Sequence, residues 1–164
     1  MNPIFERTSI RQWTNEPVST EQIEQILKAA MQAPSAVNSQ PWEFVVVTNS
    51  EVKEALSKVS PYAHCAAQAP VVLGLICRKE NSCPEYNEID MGICIENILL
   101  EVTTLGLGGV CLGIAPEKER VEAMDKILKI PNTKESFALI ALGHPKHIAP
   151  QVDRYDPNRI TWIR

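Results

Sequence analysis

The stretch Ala33-Pro-Ser-Ala-Val-Asn-Ser-Gln-Pro-Trp42 links a predicted amphipathic helix to a predicted buried strand. Its prolines stiffen the link, while Ser35, Asn38 and Gln40 offer hydrogen-bond donors and acceptors. A stiff loop with amide groups suits the polar edge of a heteroaromatic ring. It equally suits a simple connection whose polar groups cap neighbouring backbone, so the loop alone leaves both interpretations open.

The sequence on both sides of this loop predicts alternating helices and strands. Ser19 and Gln22 form a capping box, which predicts the start of the helix before the loop. A long apolar stripe predicts a helix over residues 86–105, ended by Gly106. Short β-branched and aromatic runs predict strands over residues 43–48, 71–77, 109–113 and 137–142. Strands separated by helices indicate a three-layer arrangement, and this order alone favours parallel strands.

The chain has the length and composition of one domain over residues 1–164, and 45% of its residues are hydrophobic. The net charge of −4 gives no reason to expect nucleic acid or an anionic membrane as a partner. The longest apolar run, over residues 70–77, is too short to cross a membrane. Because the N-terminal sequence also lacks a secretion signal, we expect a cytoplasmic protein.

The cysteine spacing does not favour a metal site or a disulfide framework. No C-x-x-C pair occurs, and an odd number of cysteines without a secretory signal argues against a set of disulfides. The five cysteines are Cys65, Cys77, Cys83, Cys94 and Cys111. The glycines at residues 106–109 follow a helix and precede a strand, which excludes a dinucleotide-binding glycine loop.

Three other segments are candidates for binding. In Arg7-Thr-Ser-Ile-Arg11, two guanidinium groups and a hydroxyl suit a phosphate, although a solvated N-terminal stretch has the same composition. The glycines within residues 106–113 allow a flat ligand to approach the backbone, or allow a helix and strand to pack closely. The basic tail around Arg154 suits an anion or a solvated loop.

Together these segments resemble the nitroreductase family of FMN-dependent enzymes. The resemblance extends over nearly the whole chain, and the A-P-S-x-x-N-x-Q-P-W string at residues 33–42 is its most specific part. It implies an α+β, three-layer fold with a central, mainly antiparallel sheet flanked by helices, in place of parallel strands. It also implies a domain-swapped homodimer with FMN at the interface and C-terminal segments exchanged between subunits.

The resemblance assigns FMN-binding residues in three groups and no catalytic or metal-binding side chain. The first group binds the phosphate and the pyrimidine edge of the ring: Arg7, Thr8, Ser9, Arg11 and Arg154. The second group comes from the other subunit: Pro34, Ser35, Ala36, Asn38 and Gln40. The third group lies against the ring: Cys111, Leu112, Gly113 and Ile114.

The activity implied by the resemblance is the transfer of hydride from NADH or NADPH through flavin N5 to an electron acceptor. The acceptor is a small molecule such as a nitroaromatic or a quinone, and the kinetics are ping-pong. An alternative from another class is an FMN-binding carrier or regulator that does not turn over. Flavin destruction or reductive dehalogenation on the same scaffold is a third alternative, which usually requires capping segments that this chain has little room for.

Overall fold

The central sheet contains four strands: β1 (Trp42–Val47), β2 (Val71–Arg78), β3 (Gly108–Gly113) and β4 (Lys134–Gly143). Its order is β1-β2-β4-β3, and every neighbouring pair is antiparallel. The computed structural model describes residues 2–148 and 150–164. The antiparallel pairing confirms the α+β fold, and the parallel arrangement favoured by the element order is wrong. A helix between two strands fixes their separation along the chain, but it does not fix the end of the sheet at which the second strand begins.

Helices cover both faces of the sheet and complete the three layers. They are α1 (Pro3–Glu6), α2 (Thr20–Met31), α3 (Ser50–Leu56), α4 (Asn87–Thr104) and α5 (Lys118–Leu128). Helices α2 and α4 contribute to the apolar core on one face, whereas α3 and α5 contribute to the core on the other. Side chains of alternate residues in the central strands pack into the two cores. Leu73 and Ile140 pack on the α4 side, whereas Val72 and Leu139 pack on the α5 side.

The ends of two helices form as the sequence predicts. The Ser19 hydroxyl accepts the Gln22 amide proton, and the Gln22 side chain accepts the Ser19 amide proton in return, so the capping box is present. At the end of α4, Gly106 adopts a positive φ of 71°. The Leu107 amide then donates to the Val102 carbonyl, which closes the helix in a Schellman motif.

The C-terminal tail, residues 150–164, is exposed over almost its whole length. It contains one short 3₁₀ turn, Pro157–Arg159, and residues 160–163 form no strand. A strand requires a neighbour for its amide and carbonyl groups, and none of the described strands lies beside this segment. No helix within residues 2–148 and 150–164 is long and apolar enough to cross a membrane.

Candidate functional site

The N-terminal strap, residues 7–13, lies beside the start of β3. Ser9 forms a parallel bridge with Gly109, and the Ile10 amide donates to the Gly109 carbonyl at 3.0 Å. A Cβ added at Gly108 would lie 2.7 Å from Cγ1 of Ile10, so only glycine permits this close approach. The strap is therefore held against the strand by backbone hydrogen bonding and by the close packing of Ile10 on Gly108.

Trp13 fixes the C-terminal end of the strap. Its ring is only 4% exposed, and the indole Nε1 donates to the Gly108 carbonyl at 2.8 Å. The next amide, that of Thr14, donates to the His144 carbonyl at 2.8 Å, just beyond the end of β4. The buried ring and these two hydrogen bonds give the strap one fixed position on the sheet.

The strap presents part of the predicted binding set to solvent. Ser9 and Arg11 are exposed, and Arg7 is half-buried. Thr8 is also half-buried, but it lines a small cavity with Thr103 near the end of α4. The strap thus brings Ser9 and Arg11 to one exposed surface and turns Thr8 towards the helix.

Arg7 lies against the middle of α4. Its Nε is 3.6 Å from a carboxylate oxygen of Glu96, and 24% of the Arg7 side chain is exposed. Burial, and secondarily the Glu96 carboxylate, raise the pKa of the Cys111 thiol to about 11, which keeps it protonated at neutral pH. Arg7, Glu96 and Cys111 therefore occupy one neighbourhood, where α4 passes β3.

The β3 segment exposes backbone to a possible ligand, whereas its larger side chains are buried in the core. Leu112 and Ile114, both predicted to lie against a ring, bury their side chains in the core under α3 and α5. Gly113 between them is exposed, and a Cβ added there would meet nothing within 4 Å. A ligand on this strand would therefore contact Leu112 and Ile114 through backbone atoms only.

Arg11 and Cys65 are near neighbours on the other side of the strap. Burial raises the pKa of the Cys65 thiol, and the positive charge of Arg11 opposes that rise. Arg11 also donates to the Ser9 carbonyl over a long 3.4 Å. Within residues 2–148 and 150–164 it has no carboxylate within 4 Å, which leaves its charge available to a ligand.

The loop after α2, residues 35–40, combines an anchored inner side with an exposed outer side. Ser39 is 8% exposed, whereas Asn38 and Gln40 are exposed. The Ser35 hydroxyl accepts the Gln40 amide proton at 3.0 Å, so Ser35 caps the loop itself, as one of the two sequence interpretations proposed. The side-chain amide of Gln40 donates from Nε2 to the side-chain oxygen of Asn38 at 2.8 Å, and this bond holds the two exposed side-chain amides together.

Three residues of this loop have left-handed backbone conformations. Val37, Asn38 and Gln40 have φ values of 46°, 57° and 46°. For residues other than glycine such a conformation costs on the order of 1–3 kcal/mol each, and a β-branched valine is the least suited to it. Strain of this kind persists only where surrounding contacts hold it, which points to an anchor beneath the loop.

The anchor consists of Asp90 and Arg78, which the sequence did not identify as functional. Both Asp90 carboxylate oxygens accept the Ala36 amide proton, at 3.1 and 3.2 Å, and one also accepts the Ser39 hydroxyl proton at 3.1 Å. Arg78 Nη2 donates to the Ser39 carbonyl at 3.0 Å and to the Gln40 carbonyl at 2.6 Å. One signal was available: Asp90 lies four residues before Cys94, on the otherwise apolar inward face of the helix.

Two parts of the predicted set, the loop after α2 and the tail, form no hydrogen bond or ion pair with the strap within the described residues. Pro34 lies on the exposed side of the loop after α2. Arg154 lies in the exposed tail, which lines a groove with Ile4 and Phe5 of α1, and none of the described residues accepts a hydrogen bond or ion pair from its guanidinium group. The structure of a single chain therefore assembles the strap and β3, but not the complete predicted site.

The donors on the strap and the bare strand fit a phosphate joined to a flat ring, as in FMN. Two guanidinium groups and the exposed Ser9 hydroxyl suit phosphate oxygens and a polar ring edge. Gly113 leaves the strand flat where a ring would lie. Within the described part of the chain, no group of three His, Cys, Asp or Glu residues is placed to hold a metal ion.

Comparison with known proteins gives matches over nearly the whole chain. A relative from Methanothermobacter thermautotrophicus, provisionally named an NADH dehydrogenase/NAD(P)H nitroreductase, is 38% identical over 161 residues, covering 98% of this chain and 84% of the relative. A solved structure from Clostridium acetobutylicum, provisionally named an NADH oxidase, has a TM-score of 0.94 at 39% identity and covers 97% of both chains.

A third match is a solved structure with a bound ligand. A provisionally named nitroreductase from Desulfovibrio desulfuricans, in complex with FMN, has a TM-score of 0.84 at 29% identity and covers 99% of this chain and 95% of that one. The model of the nitroreductase family matches residues 4–72 and 61–144, a region that includes the strap, the loop and β3. The chain therefore belongs to the nitroreductase family.

Proposed function

We propose that this protein is an FMN-dependent oxidoreductase that uses NADH or NADPH to reduce a small-molecule acceptor such as a nitroaromatic or a quinone. The observation that carries the proposal is the position of Arg7, Ser9 and Arg11 on a strap fixed beside the start of β3, the strand that ends at the exposed Gly113. Charged donors next to a flat strand suit a flavin phosphate and ring. Relatives named for NAD(P)H-dependent reductions support the same reaction class.

When bound, FMN would supply the redox chemistry, which is hydride transfer from NAD(P)H and electron transfer to an acceptor in a ping-pong sequence. The protein's residues bind and orient. Arg7, Ser9 and Arg154 hold the phosphate, and Arg11 lies at the pyrimidine edge. A cation there favours added negative charge on the ring, since unit charges about 4 Å apart interact by roughly 4 kcal/mol at an effective dielectric near 20.

The proposal includes a homodimer in which each flavin lies between two subunits. Large apolar side chains are exposed on α1, at the loop and in the tail, including Phe5 at 61%, Val37 at 73% and Ile163 at 97%. Apolar exposure of this extent is typical of a surface that a partner covers. In the dimer, the loop of one subunit and the tail with Arg154 complete the site of the other.

The thiol chemistry fits a reducing compartment such as the cytoplasm. All five cysteines are free, and those with the largest pKa shifts, Cys77, Cys94 and Cys111, are raised by burial to between about 11 and about 12. Protonated, buried thiols behave as small apolar side chains and do not require an oxidising environment. Cys77 and Cys94, the two buried cysteines, act as core packing in the proposed enzyme.

The deciding experiment is the visible spectrum of the purified protein, followed by anaerobic addition of NADH and NADPH. We expect flavin absorption, release of FMN rather than FAD on heating, and rapid bleaching by at least one of the two reductants. Protein that stays colourless after incubation with excess FMN contradicts the proposal. Bound FMN that neither reductant bleaches favours the carrier or regulator instead.

A further inference from the structure

Two charged residues beneath the loop after α2 have no partner of opposite charge. Within residues 2–148 and 150–164, no ion pair involves Asp90 or Arg78, although Asp90 is only 2% exposed. Both side chains direct their hydrogen bonds to the loop instead, Asp90 to the Ala36 amide and the Ser39 hydroxyl, and Arg78 to the Ser39 and Gln40 carbonyls.

Stability alone does not account for this arrangement. Burial of a charged group is costly, and an apolar side chain of similar volume usually stabilises a core at least as well. The Nε of Arg78 is buried without a hydrogen-bond partner, which adds a further cost. What the two side chains achieve is to hold a loop whose residues Val37, Asn38 and Gln40 have left-handed backbone conformations.

We propose that Asp90 and Arg78 are positioning residues for flavin binding in the partner subunit. They hold the loop so that the paired amides of Asn38 and Gln40 meet the ring bound to the partner's strap. This inference rests on the proposed function, in which the loop completes the neighbouring site. We call the hydrogen bonds that Asp90 and Arg78 form with the loop the clamp. Without the clamp, the strained residues relax. FMN binding then has to order the loop again, and this weakens the affinity for FMN.

The first test compares FMN affinity among variants of the dimer. We expect Asp90→Ala to raise the Kd for FMN by about 10- to 100-fold, the range for hydrogen bonds to a charged group. At saturating FMN, its visible circular dichroism should also change, because the ring has lost fixed amide neighbours. Asp90→Asn, which can still accept the Ala36 amide proton, should restore most of both. Glu88→Ala, an exposed residue of the same helix turn, is the control and should match the wild type.

The second test uses heterodimers to show which flavin the clamp serves. Consider a dimer of one Arg7→Ala chain and one Asp90→Ala chain. If the loop serves the partner, both substitutions fall in the same flavin site, and the other site of the dimer contains neither. It should then bind one FMN with native affinity and native circular dichroism. A dimer of one wild-type chain and one chain carrying both substitutions has a defect in each site and should have no native site.

The outcomes separate this inference from the proposed function. A wild-type protein that binds no FMN overturns the proposed function itself. If the wild type binds FMN and a folded Asp90→Ala dimer has a native Kd and spectrum, the positioning role is wrong. A heterodimer of the single variants with no native site shows that the loop serves its own subunit. If Asp90→Ala does not fold, Ser39→Ala removes one clamp contact, and a native Kd and spectrum in that variant overturn the inference.

Discussion

The Nε of Arg7 lies 3.6 Å from a carboxylate oxygen of Glu96, so the proposed phosphate ligand is paired with an acid of its own chain. FMN phosphate must compete with this acid for Arg7 and is also repelled by it. Because 54% of the Glu96 side chain is exposed, solvent partly screens the Arg7–Glu96 ion pair, and the effect of Glu96 on phosphate binding is small. We expect Glu96→Gln to tighten FMN binding by about 1.4- to 5-fold, which corresponds to roughly 0.2–1 kcal/mol.

Titration of the apoprotein with FMN and with riboflavin, followed by flavin fluorescence, measures this effect. Riboflavin lacks the phosphate, so its affinity should be the same in Glu96→Gln and the wild type. Glu101→Gln, on the same helix but hydrogen-bonded to Gln25, is the control and should change neither affinity. An equal gain for both flavins would mean that Glu96 acts on the ring or on the fold.

Loss of Arg7 should have the opposite effect on the same ligand. Arg7→Ala removes a charge-assisted hydrogen bond to the phosphate, worth about 1.5–3 kcal/mol, so the Kd for FMN should rise by about 10- to 100-fold. Riboflavin binding should change much less. If both flavins weaken equally in equilibrium dialysis, Arg7 does not bind the phosphate.

Two glycines of β3 should respond differently to alanine. A Cβ at Gly113 meets nothing within 4 Å, so Gly113→Ala should keep its melting temperature but weaken FMN binding at least tenfold, because the methyl group occupies the proposed ring position. A Cβ at Gly108 meets Ile10 at 2.7 Å, so Gly108→Ala should lose about 1–3 kcal/mol of stability. Thermal melts of the apoproteins and FMN titrations test both. Unchanged affinity in Gly113→Ala would place the ring elsewhere.

Removal of the tail should weaken the flavin site and the dimer together. The tail carries Arg154 and exposed apolar residues such as Trp162 at 74% and Ile163 at 97%. Deletion of residues 148–164 removes a proposed phosphate ligand and part of the interface, so FMN affinity and dimer stability should fall in parallel. Sedimentation of the truncated protein with and without FMN measures both. A monomer with native FMN affinity would show that the site is built within one chain.

Stability should decrease at high pH because thiols that burial keeps protonated in the folded protein ionise in the unfolded chain. Burial raises the pKa of the Cys94 thiol from 9.0 to about 12. The unfolded thiol loses its proton first, so the stabilising contribution is complete below pH 9 and is lost as the pH rises towards 12. Between these values one thiol costs up to about 1.4 kcal/mol per pH unit. Urea midpoints from pH 8 to pH 10.5 should therefore fall less steeply for Cys94→Ala than for the wild type, and equal slopes contradict the assignment.

Local signals were sufficient to predict most of the fold. The capping box at Ser19 and the glycine at residue 106 act within a few residues, so the sequence pattern identified both helix ends. Strand direction was not predictable in the same way, because it depends on the end of the sheet at which the chain begins the next strand. The resemblance, which reflects a whole fold, supplied the antiparallel order.

The candidate site was predicted less completely, for an identifiable reason. Residues such as Arg7 and Asn38 belong to short motifs, and the contact proposed for each is made by its own side chain. Asp90 contacts the backbone amide of Ala36, 54 residues away, and Arg78 contacts the carbonyl of Ser39. A contact to a backbone atom does not depend on the type of residue contacted, so no sequence motif marks the clamp. In the sequence, Asp90 and Arg78 are only charged residues without an evident role.

The hydrogen bond from the Trp13 indole to the Gly108 carbonyl joins positions 95 residues apart. During synthesis the strap leaves the ribosome before β3 and β4, and it has no surface to dock on until β3 has emerged and paired with β4. Contacts between distant segments form late, since the intervening chain must be ordered before they stabilise it. The strap is thus expected to be among the last segments to settle although it is translated before β3, and the newly made protein gains its ability to capture the flavin only at the end of folding.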